Sequence, residues 1–373
     1  MASQQLALRS FPLQMKTLYS IKNLKVLELS TVLAGPSVGM FFAELGASVV
    51  KIEHPFIPDV TRSWKLASEE KDSPVSAYFS SVNYGKSYLS LNLTVKEDHA
   101  QFLELVKDAD ILLTNFKLGD DRKLGLESKS ILEINPRLII GKISGFGDQS
   151  DRVAYDLILQ AETGFMSMNG TKDSGPIKMP VALIDVLAGH QLKEGILLAL
   201  MERQLSGKGR EVSVSLYDAA VCSLANQASN YLMTGHVAQR IGSLHPNIAP
   251  YGELFKTKDG ATLTFAIGSD SHFEKFVTEL GVPELATDAR FVHNQQRLEN
   301  RETLFELLES LISKLDSTHL LAKLHLKHVP CAKVKELDEV FQADEAKALV
   351  LSEEIAGKTT KRVRTIAFKL NHD

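Results

Sequence analysis

Residues 24–53 read LKVLELSTVLAGPSVGMFFAELGASVVKIE, and the pattern of this stretch predicts the fold class. Residues 24–29 and 47–53 are short, aliphatic and rich in β-branched side chains, which is typical of strands. Between them, residues 31–36 break the first strand, and residues 37–45 form an apolar, helix-compatible segment. A strand, a short helix and a second strand within about 30 residues make a βαβ unit, whose two strands run parallel.

The same alternation of strands and helices continues along the chain. Further strands are predicted at residues 109–114, 138–144 and 211–216, and helices at residues 97–107, 121–133, 186–205 and 217–233. This alternation indicates an α/β domain built on a parallel sheet. Because ligands of such sheets bind at the carboxyl ends of the strands, the candidate binding loops follow four strand-ending residues. These are Leu29, Glu53, Thr114 and Ser144.

The character of the chain changes after Gly235. Residues 252–267 read as a strand, an Asp259-Gly260 turn and a second strand, which is a strong hairpin signal. Helical segments follow at about residues 270–280 and 302–315. Antiparallel pairing in place of βαβ units predicts a second, smaller domain of the α+β class.

The composition argues against several classes of protein. The 373 residues include 42 Lys and Arg against 46 Asp and Glu, which gives a formal net charge of −4. This balance gives no case for a nucleic-acid partner or an anionic membrane surface, and no stretch reaches transmembrane length. Two cysteines, Cys222 and Cys331, make neither a disulfide framework nor a zinc pattern, and no metal site is predicted. A reducing, cytoplasmic location is therefore expected.

The loop Ala34-Gly35-Pro36 lies between a strand and a helix, where backbone N–H groups can bind an anion. Glu53 follows Gly35 by 18 residues (53 − 35), close to the spacing of the ribose-binding acid in dinucleotide-binding folds. Only one glycine is present where that fingerprint has three. NAD binding is thus weakly indicated, and a plain structural turn is the alternative.

Basic side chains gather after the predicted strands, at Arg62, Lys86, Lys117 and Arg122. Each alone is typical of a solvated surface charge, but together they could bind a polyphosphate cofactor. Directly after the strand at residues 109–114, Asn115 offers a polar contact and Phe116 an aromatic face for a purine.

Asp185 is a single carboxylate within the otherwise apolar run of residues 179–189. A carboxylate in such a setting must be paired, must cap a helix or must have a function. The N-cap of the long helix at residues 186–205 and a catalytic role are both consistent with the sequence.

Taken together, these motifs resemble the class III CoA-transferases, or CaiB/BaiF family, which includes formyl-CoA transferase, carnitine CoA-transferase and α-methylacyl-CoA racemase. The resemblance covers about residues 24–369. The matching motifs are residues 24–55 (opening strand, loop and strand), NYGKS at 83–87, ADILLTNF at 109–116, NPRLIIGKISGFG at 135–147, AYDLILQAETGFMS at 154–167, GKGREVSVSLYDA at 207–219, NIAPYGELFKTKDG at 247–260 and VPCAKV at 329–334. So many motifs in one order are a specific signal.

The resemblance implies an architecture for the chain. It implies a large Rossmann-like, CoA-binding domain at residues 20–225, a small domain at residues 226–328 and a C-terminal return to the large domain at residues 329–373. It also implies an interlocked homodimer, in which CoA lies between the large domain of one subunit and the small domain of the other.

The resemblance also implies roles for individual residues. Asp185 matches the catalytic aspartate of the family, and Tyr155 with Asp156 matches an active-site pair that is tyrosine–glutamate in formyl-CoA transferase. The positions matching the loop that wraps the CoA chain are Thr31, Val32, Ala34, Gly35 and Pro36. Other CoA-contacting positions are Lys86, Asn115, Phe116 and Arg122.

By resemblance, the function is transfer of CoA from an acyl-CoA to a small carboxylic acid through a covalent aspartyl intermediate. CoA and acyl-CoA are then substrates, with no permanently bound cofactor and no metal. The alternative is a racemase or epimerase of 2-methylacyl-CoA. Racemases of the family carry a catalytic histidine where this chain has Tyr155, and tyrosine, with a reference pKa near 10, is a poor base at neutral pH. This difference favours acyl transfer. The presence of Asp185 disfavours a non-enzymatic CoA-binding protein.

Overall fold

The structure is a computed structural model that describes residues 20–369. The strands are β1 Lys25–Glu28, β2 Ser48–Glu53, β3 Lys86–Ser90, β4 Ile111–Thr114, β5 Ile139–Ser144, β6 Arg210–Ser215, β7 Tyr251–Lys256, β8 Thr262–Ala266, β9 Cys331–Lys333, β10 Val350–Ile355 and β11 Lys358–Val363.

Sixteen helices accompany these strands in the described part of the chain. They are α1 Ala34–Glu44, α2 Ala77–Ser80, α3 Lys96–Asp108, α4 Asp120–Lys123, α5 Ser128–Ile134, α6 Asp156–Glu162, α7 Phe165–Met168, α8 Leu183–Ser206, α9 Leu216–Cys222, α10 Ala225–Thr234, α11 Asp270–Glu279, α12 Asn294–Glu299, α13 Arg301–Ile312, α14 Ser317–Leu326, α15 Leu337–Val340 and α16 Asp344–Lys347. Short 3-10 turns lie at Ile21–Asn23, Val60–Ser63 and Pro283–Ala286. Over residues 20–369, no helix has both the length and the apolar character needed to cross a membrane.

The central sheet is parallel throughout, with the strand order β3-β2-β1-β4-β5-β6. This is the order of doubly wound nucleotide-binding folds, in which the strand order reverses between β1 and β4. The α/β fold class with a parallel sheet is therefore confirmed. The loops that follow β1 and β4 open the crevice where ligands of such folds bind.

Aliphatic side chains hold a helical layer on each face of the sheet. On one face, Leu27, Leu112 and Ile140 pack in one buried cluster with Phe102 of α3 and Ile131 of α5. On the other face lie α1 and α8, which pack against each other and against the sheet. The alternation of side chains along each strand thus supplies both cores.

The strands and helices predicted from the pattern are present, with shifts of one to three residues at most ends. The long helix α8 begins at Leu183 rather than at residue 186. The predicted helix 121–133 divides into α4 and α5, and the predicted helix 217–233 divides into α9 and α10. Strand β3 was not predicted, because its Lys86–Ser90 sequence is polar and mostly lies at the exposed edge of the sheet.

The chain divides into two compact units, each made of separate segments. Within residues 20–369, the first unit holds residues 20–159, 181–224 and 350–369, including the central sheet and the β10–β11 hairpin. The second unit holds residues 160–180 and 225–349.

The second unit is built on the antiparallel sheet β7-β8-β9. Its predicted hairpin is present, with Asp259 and Gly260 in the turn between β7 and β8. A core rich in phenylalanine packs against this sheet, including Phe255, Phe265 and Phe276.

The two units differ from the predicted division of the chain at two places. Residues 160–180 belong with the second unit, and the return to the first unit begins at Val350 rather than at residue 329. The physical reason for the later return is that β9 pairs with β8 and so completes the small sheet. Residues 370–373, the end of the predicted return, lie outside the described residues.

Candidate active site

A cleft with a volume of about 260 Å³ lies at the carboxyl ends of β1, β4 and β5 in the first unit. It brings together six of the residues predicted from the sequence: Thr31, Val32, Asn115, Phe116, Lys117 and Tyr155. The crevice expected from the strand order is therefore present, and residues far apart in the chain line it.

The loop at residues 30–36 is held in place by a side chain from the neighbouring strand. The Asn115 side-chain oxygen accepts a hydrogen bond from the Thr31 N–H (3.0 Å), and its amide donates to the Thr31 carbonyl (2.9 Å). Val32 follows with φ of +73°, a left-handed conformation that is a genuine outlier for a β-branched residue. Gly35 is required by space, because a Cβ there would lie 2.4 Å from that of Ser30.

The other three residues predicted in this loop open a helix. Ala34, Gly35 and Pro36 form the buried first turn of α1. No side chain caps this helix terminus in the described structure, so its first N–H groups lack a side-chain capping partner.

Asp185 occupies the first turn of α8 and is 6% exposed. The N-cap position is Ala182, so the hypothesis that Asp185 is the N-cap is wrong. Asp156 serves the helix terminus instead, because its Oδ1 accepts a hydrogen bond from the Ile184 N–H at 2.7 Å. Among the described residues, no hydrogen bond or ion pair engages the Asp185 carboxylate.

The environment of Asp185 disfavours its charged form. Burial, and then the neighbouring carboxylate of Asp156, raise the pKa of Asp185 to about 7. A strongly perturbed carboxylate without a structural partner is typical of a functional site.

Close packing of α8 against α1 positions Asp185. A Cβ on Gly189 would lie 2.4 Å from the Ser37 hydroxyl and 3.2 Å from the Ala34 carbonyl, so glycine permits this approach. Asp185 precedes Gly189 by four residues and therefore lies on the same face of α8. The carboxylate thus stands one turn beyond the point where the two helices touch.

Three aromatic side chains connect the cleft with Asp185. Tyr155 is half-exposed at the cleft, and its ring centroid lies 6.4 Å from that of Trp64. Trp64 in turn meets Tyr78 edge-on at 5.1 Å. Burial raises the pKa of Tyr78 to about 12, and the charge of Asp185 is the next largest cause of that increase. The sequence interpretation missed Trp64 and Tyr78, although Trp64 is the single tryptophan of the chain.

The structure places Lys86 away from the cleft. Its amine is fully buried and donates to both Glu28 carboxylate oxygens at 2.8 Å, to the Asn83 side chain and to the Pro36 carbonyl. These four acceptors use all of its N–H groups. All of these partners belong to the protein interior, so Lys86 has a structural role here. The structure therefore does not support the predicted contact of Lys86 with CoA.

Arg122 also lies outside the cleft lining. Its side chain is 80% exposed and pairs with Glu127. The basic residues that do line the cleft are Lys117, Lys142 and Arg152. Lys142 is partly buried, with carboxylates of Asp121 and Glu211 within 3.9 Å. Of these three, the sequence interpretation singled out Lys117.

The structure argues against Glu53 as the ribose-binding acid of a dinucleotide site. The Glu53 carboxylate accepts from the Arg62 Nε at 3.0 Å and from its Nη2 at 2.6 Å. It also accepts from the Asp59 N–H. Because the Glu53 carboxylate is engaged in this bidentate ion pair, it has a structural role and is not available to bind a ribose. Arg62 is engaged in the same ion pair and is therefore not available to bind a phosphate.

Comparison with known proteins shows the family of the chain. The model of CoA-transferase family III matches residues 21–373. The chain is 34% identical to a succinate–glutarate CoA-transferase of Agrobacterium fabrum, over 88% of this chain and 83% of that protein. It is 36% identical to an acetyl-CoA:oxalate CoA-transferase of Acetobacter aceti, over 85% of this chain and 81% of that protein. A solved structure of a CaiB/BaiF family protein from Brucella suis is 37% identical, with a TM-score of 0.81 over 93% of this chain and 92% of that chain.

Proposed function

Because this chain belongs to CoA-transferase family III and is a CoA-transferase, we propose that it works through a covalent intermediate on Asp185. The observation that carries the proposal is a buried carboxylate with a raised pKa and no structural partner. Covalent catalysis of this kind divides one difficult transfer into easier steps.

The first half of the reaction loads the enzyme. A carboxylate oxygen of Asp185 attacks the thioester carbonyl carbon, the C–S bond breaks, and CoA leaves as its thiolate. The product is a mixed anhydride between Asp185 and the donor acid. The thiolate then attacks the aspartyl carbonyl, which releases the donor acid as a carboxylate and leaves an aspartyl–CoA thioester.

The second half runs the same steps with the acceptor. The acceptor carboxylate attacks the aspartyl thioester and expels the thiolate, which gives a second mixed anhydride. The thiolate attacks the acceptor's acyl carbon, so the acceptor leaves as its CoA thioester and Asp185 is regenerated as a carboxylate. The thioester bond energy is retained throughout, and the steps balance without ATP or a net proton.

Two tyrosines support this chemistry by their position. Tyr78 keeps its proton at neutral pH and lies close enough to Asp185 to feel its charge, so its hydroxyl is suited to donate to an oxyanion or a substrate carboxylate. Tyr155 lines the cleft and is suited to orient the substrate acid. A tyrosine there does not supply the base that racemisation requires.

The acceptor is proposed to be a short dicarboxylic acid. The relatives described above carry names that refer to succinate, glutarate and oxalate, each of which has two carboxyl groups. The proposed substrates are therefore an acyl-CoA and a free dicarboxylate, with CoA bound along the cleft by the residues 30–36 loop, Asn115 and Phe116.

A homodimer is proposed as the assembly. Leu198, Met201 and Leu205 form an apolar stripe along the outer face of α8, and their exposed fractions are 62%, 66% and 92%. Side chains spaced by three and four residues share one helix face, and an apolar face of this kind favours burial against a partner.

Sedimentation equilibrium should give about 82 kDa, twice the chain mass of 41.1 kDa. A stable, active species at the mass of one chain would contradict the proposal. A cytoplasmic location also stays a proposal, supported by the low cysteine content of the sequence, which has two cysteines in 373 residues.

The covalent mechanism is tested with the wild-type protein and an acyl-CoA alone. Without an acceptor acid, mass spectrometry should detect an adduct on the peptide containing Asp185, and hydroxylamine should discharge it. Adding a dicarboxylic acid should complete the transfer. If instead no adduct forms and solvent deuterium enters the α-carbon of a 2-methylacyl-CoA without any acceptor, the protein is a racemase.

A further inference from the structure

Four charged side chains are buried together beneath the loop at residues 30–36. They are Glu28, Lys51, Asp59 and Lys86, named here the buried charge network. Lys51 lies 3.1 Å from both Glu28 and Asp59, and Lys86 lies 2.8 Å from Glu28. Two cations and two anions balance, as buried charges must to be tolerated.

The network is hydrogen-bonded to the loop's backbone at three points. Lys51 donates to the Ser30 carbonyl at 2.6 Å, and Lys86 donates to the Pro36 carbonyl at 2.9 Å. Between them, the Val32 N–H donates to the Asp59 carboxylate at 3.3 Å. Each end and the middle of the loop is therefore tied to a buried charge.

Val32 is the residue that needs such support. Its φ of +73° is unfavourable for a valine, and such conformations persist only where the surroundings over-determine them. The Thr31 N–H and carbonyl are fixed by Asn115, but the Val32 N–H depends on Asp59. Since Val32 lines the cleft, its conformation shapes the surface that a ligand meets.

We infer that Asp59 is a positioning residue of the transfer reaction: its buried carboxylate, neutralised by Lys51, holds Val32 left-handed and so sets the loop at the cleft. This inference rests on the proposed use of that loop to bind acyl-CoA. Asp59 acts through Val32 and does not touch the substrate.

A carboxylate is needed here rather than any polar group. One Asp59 oxygen accepts from both the N–H and the hydroxyl of Thr61, and the other lies against Lys51. Asparagine must turn an NH₂ group toward one of these donors. Asp59→Asn therefore keeps the size of the side chain but loses an acceptor and a charge.

The test is a double-mutant cycle between Asp59→Asn and Val32→Gly. Asp59→Asn should lower kcat/KM for acyl-CoA and weaken CoA binding in calorimetry on the order of tenfold to a hundredfold, since a 1 Å misplacement can cost about a hundredfold. Val32→Gly alone is measured as the reference for its own background, because glycine adopts this φ without strain and no longer needs the contact with Asp59. In the Val32→Gly background, Asp59→Asn should cost several-fold less than in the wild type.

A matched control separates positioning from general damage. Asp110→Asn also removes a carboxylate from a pair with a buried arginine, Arg203, but at the amino ends of β1 and β4. It should lower the melting temperature while leaving CoA affinity and KM unchanged. Equal losses from Asp59→Asn in both Val32 backgrounds, or unchanged CoA binding in Asp59→Asn, would overturn the inference. The binding readout is independent of the covalent step, so failure of the Asp185 mechanism would appear separately, as a wild type that binds CoA but forms no adduct.

Discussion

Asp185→Asn is expected to abolish CoA transfer while making the folded protein more stable. An amide cannot form the mixed anhydride, so the transfer rate should fall by at least about 10³-fold, as is usual when a covalent catalyst loses its nucleophile. The stability should rise because the buried carboxylate has no partner to compensate for its lost hydration.

The pH dependence of both effects follows from the raised pKa of Asp185. In the folded state this pKa is about 7 against an ordinary 3.8, so folding favours the protonated form. The contribution to stability is fully present below the ordinary pKa and is lost as the pH rises through about 7. The advantage of Asp185→Asn should therefore grow between about pH 4 and pH 7 and level off above pH 7, at an upper limit on the order of 4 kcal/mol. The rate of adduct formation in the wild type should rise as the pH passes through about 7, because the nucleophile is the ionised form.

Thermal unfolding and single-turnover mass spectrometry at several pH values check these expectations. The matched control is Asp72→Asn, which makes the same change on an exposed carboxylate and should alter neither quantity. A variant Asp185→Asn that still transfers CoA at the wild-type rate would remove Asp185 from the mechanism. A variant that loses activity because it is less stable would assign the residue to the fold.

Lys86→Met is expected to produce the largest loss of stability among single substitutions of the buried charge network. Methionine is similar in length, but it leaves Glu28 with one cation instead of two and leaves the Pro36 carbonyl without its donor. Breaking a buried ion pair from one side typically costs about 3–5 kcal/mol. Denaturant unfolding monitored by circular dichroism measures the change.

Lys117→Met provides the contrast, because Lys117 is exposed and lines the cleft. It should leave the unfolding midpoint unchanged and weaken CoA binding, since it removes a charge available to a phosphate. If Lys86→Met unfolds like the wild type and instead weakens CoA binding directly, the contact implied by the family resemblance is right, and the structural role of Lys86 is wrong.

The fold could be predicted from the sequence because local pattern and global architecture agree. Residues 24–53 contain β1, α1 and β2, and their aliphatic spacing leaves little choice of structure. Strand β3 escaped prediction because it lies at the edge of the sheet and its side chains are polar. The end of the small unit was not predicted correctly because β9 is three residues long, and its pairing with β8 is a tertiary contact.

The loops that form the candidate site could be predicted from the sequence, but the roles of its charged residues could not. Thr31, Val32, Asn115 and Phe116 follow strands whose order brings them to one crevice. Whether a lysine or arginine is exposed or buried depends on partners that are distant in the sequence. The residues around Lys86 give no indication that it pairs with Glu28, so its burial could not be predicted. The hydrogen bond from the Ile184 N–H to the Asp156 carboxylate joins residues 28 positions apart, so the pattern around Asp185 could not exclude the N-cap hypothesis for that residue.

The first unit is assembled from three segments, and this arrangement has a consequence for the growing chain on the ribosome. Its last segment contributes Ile355 to a cluster with Phe79, the Glu353 carboxylate to the Gly85 N–H, and Thr365 to the Glu44 carboxylate. At about 5–20 residues per second, translation of the 125 residues from 225 to 349 takes about 6–25 s. During that interval the central sheet is already synthesised, but the apolar and charged surfaces that the last segment covers are still exposed. We therefore expect the nascent protein to bind chaperones until the β10–β11 hairpin has been synthesised.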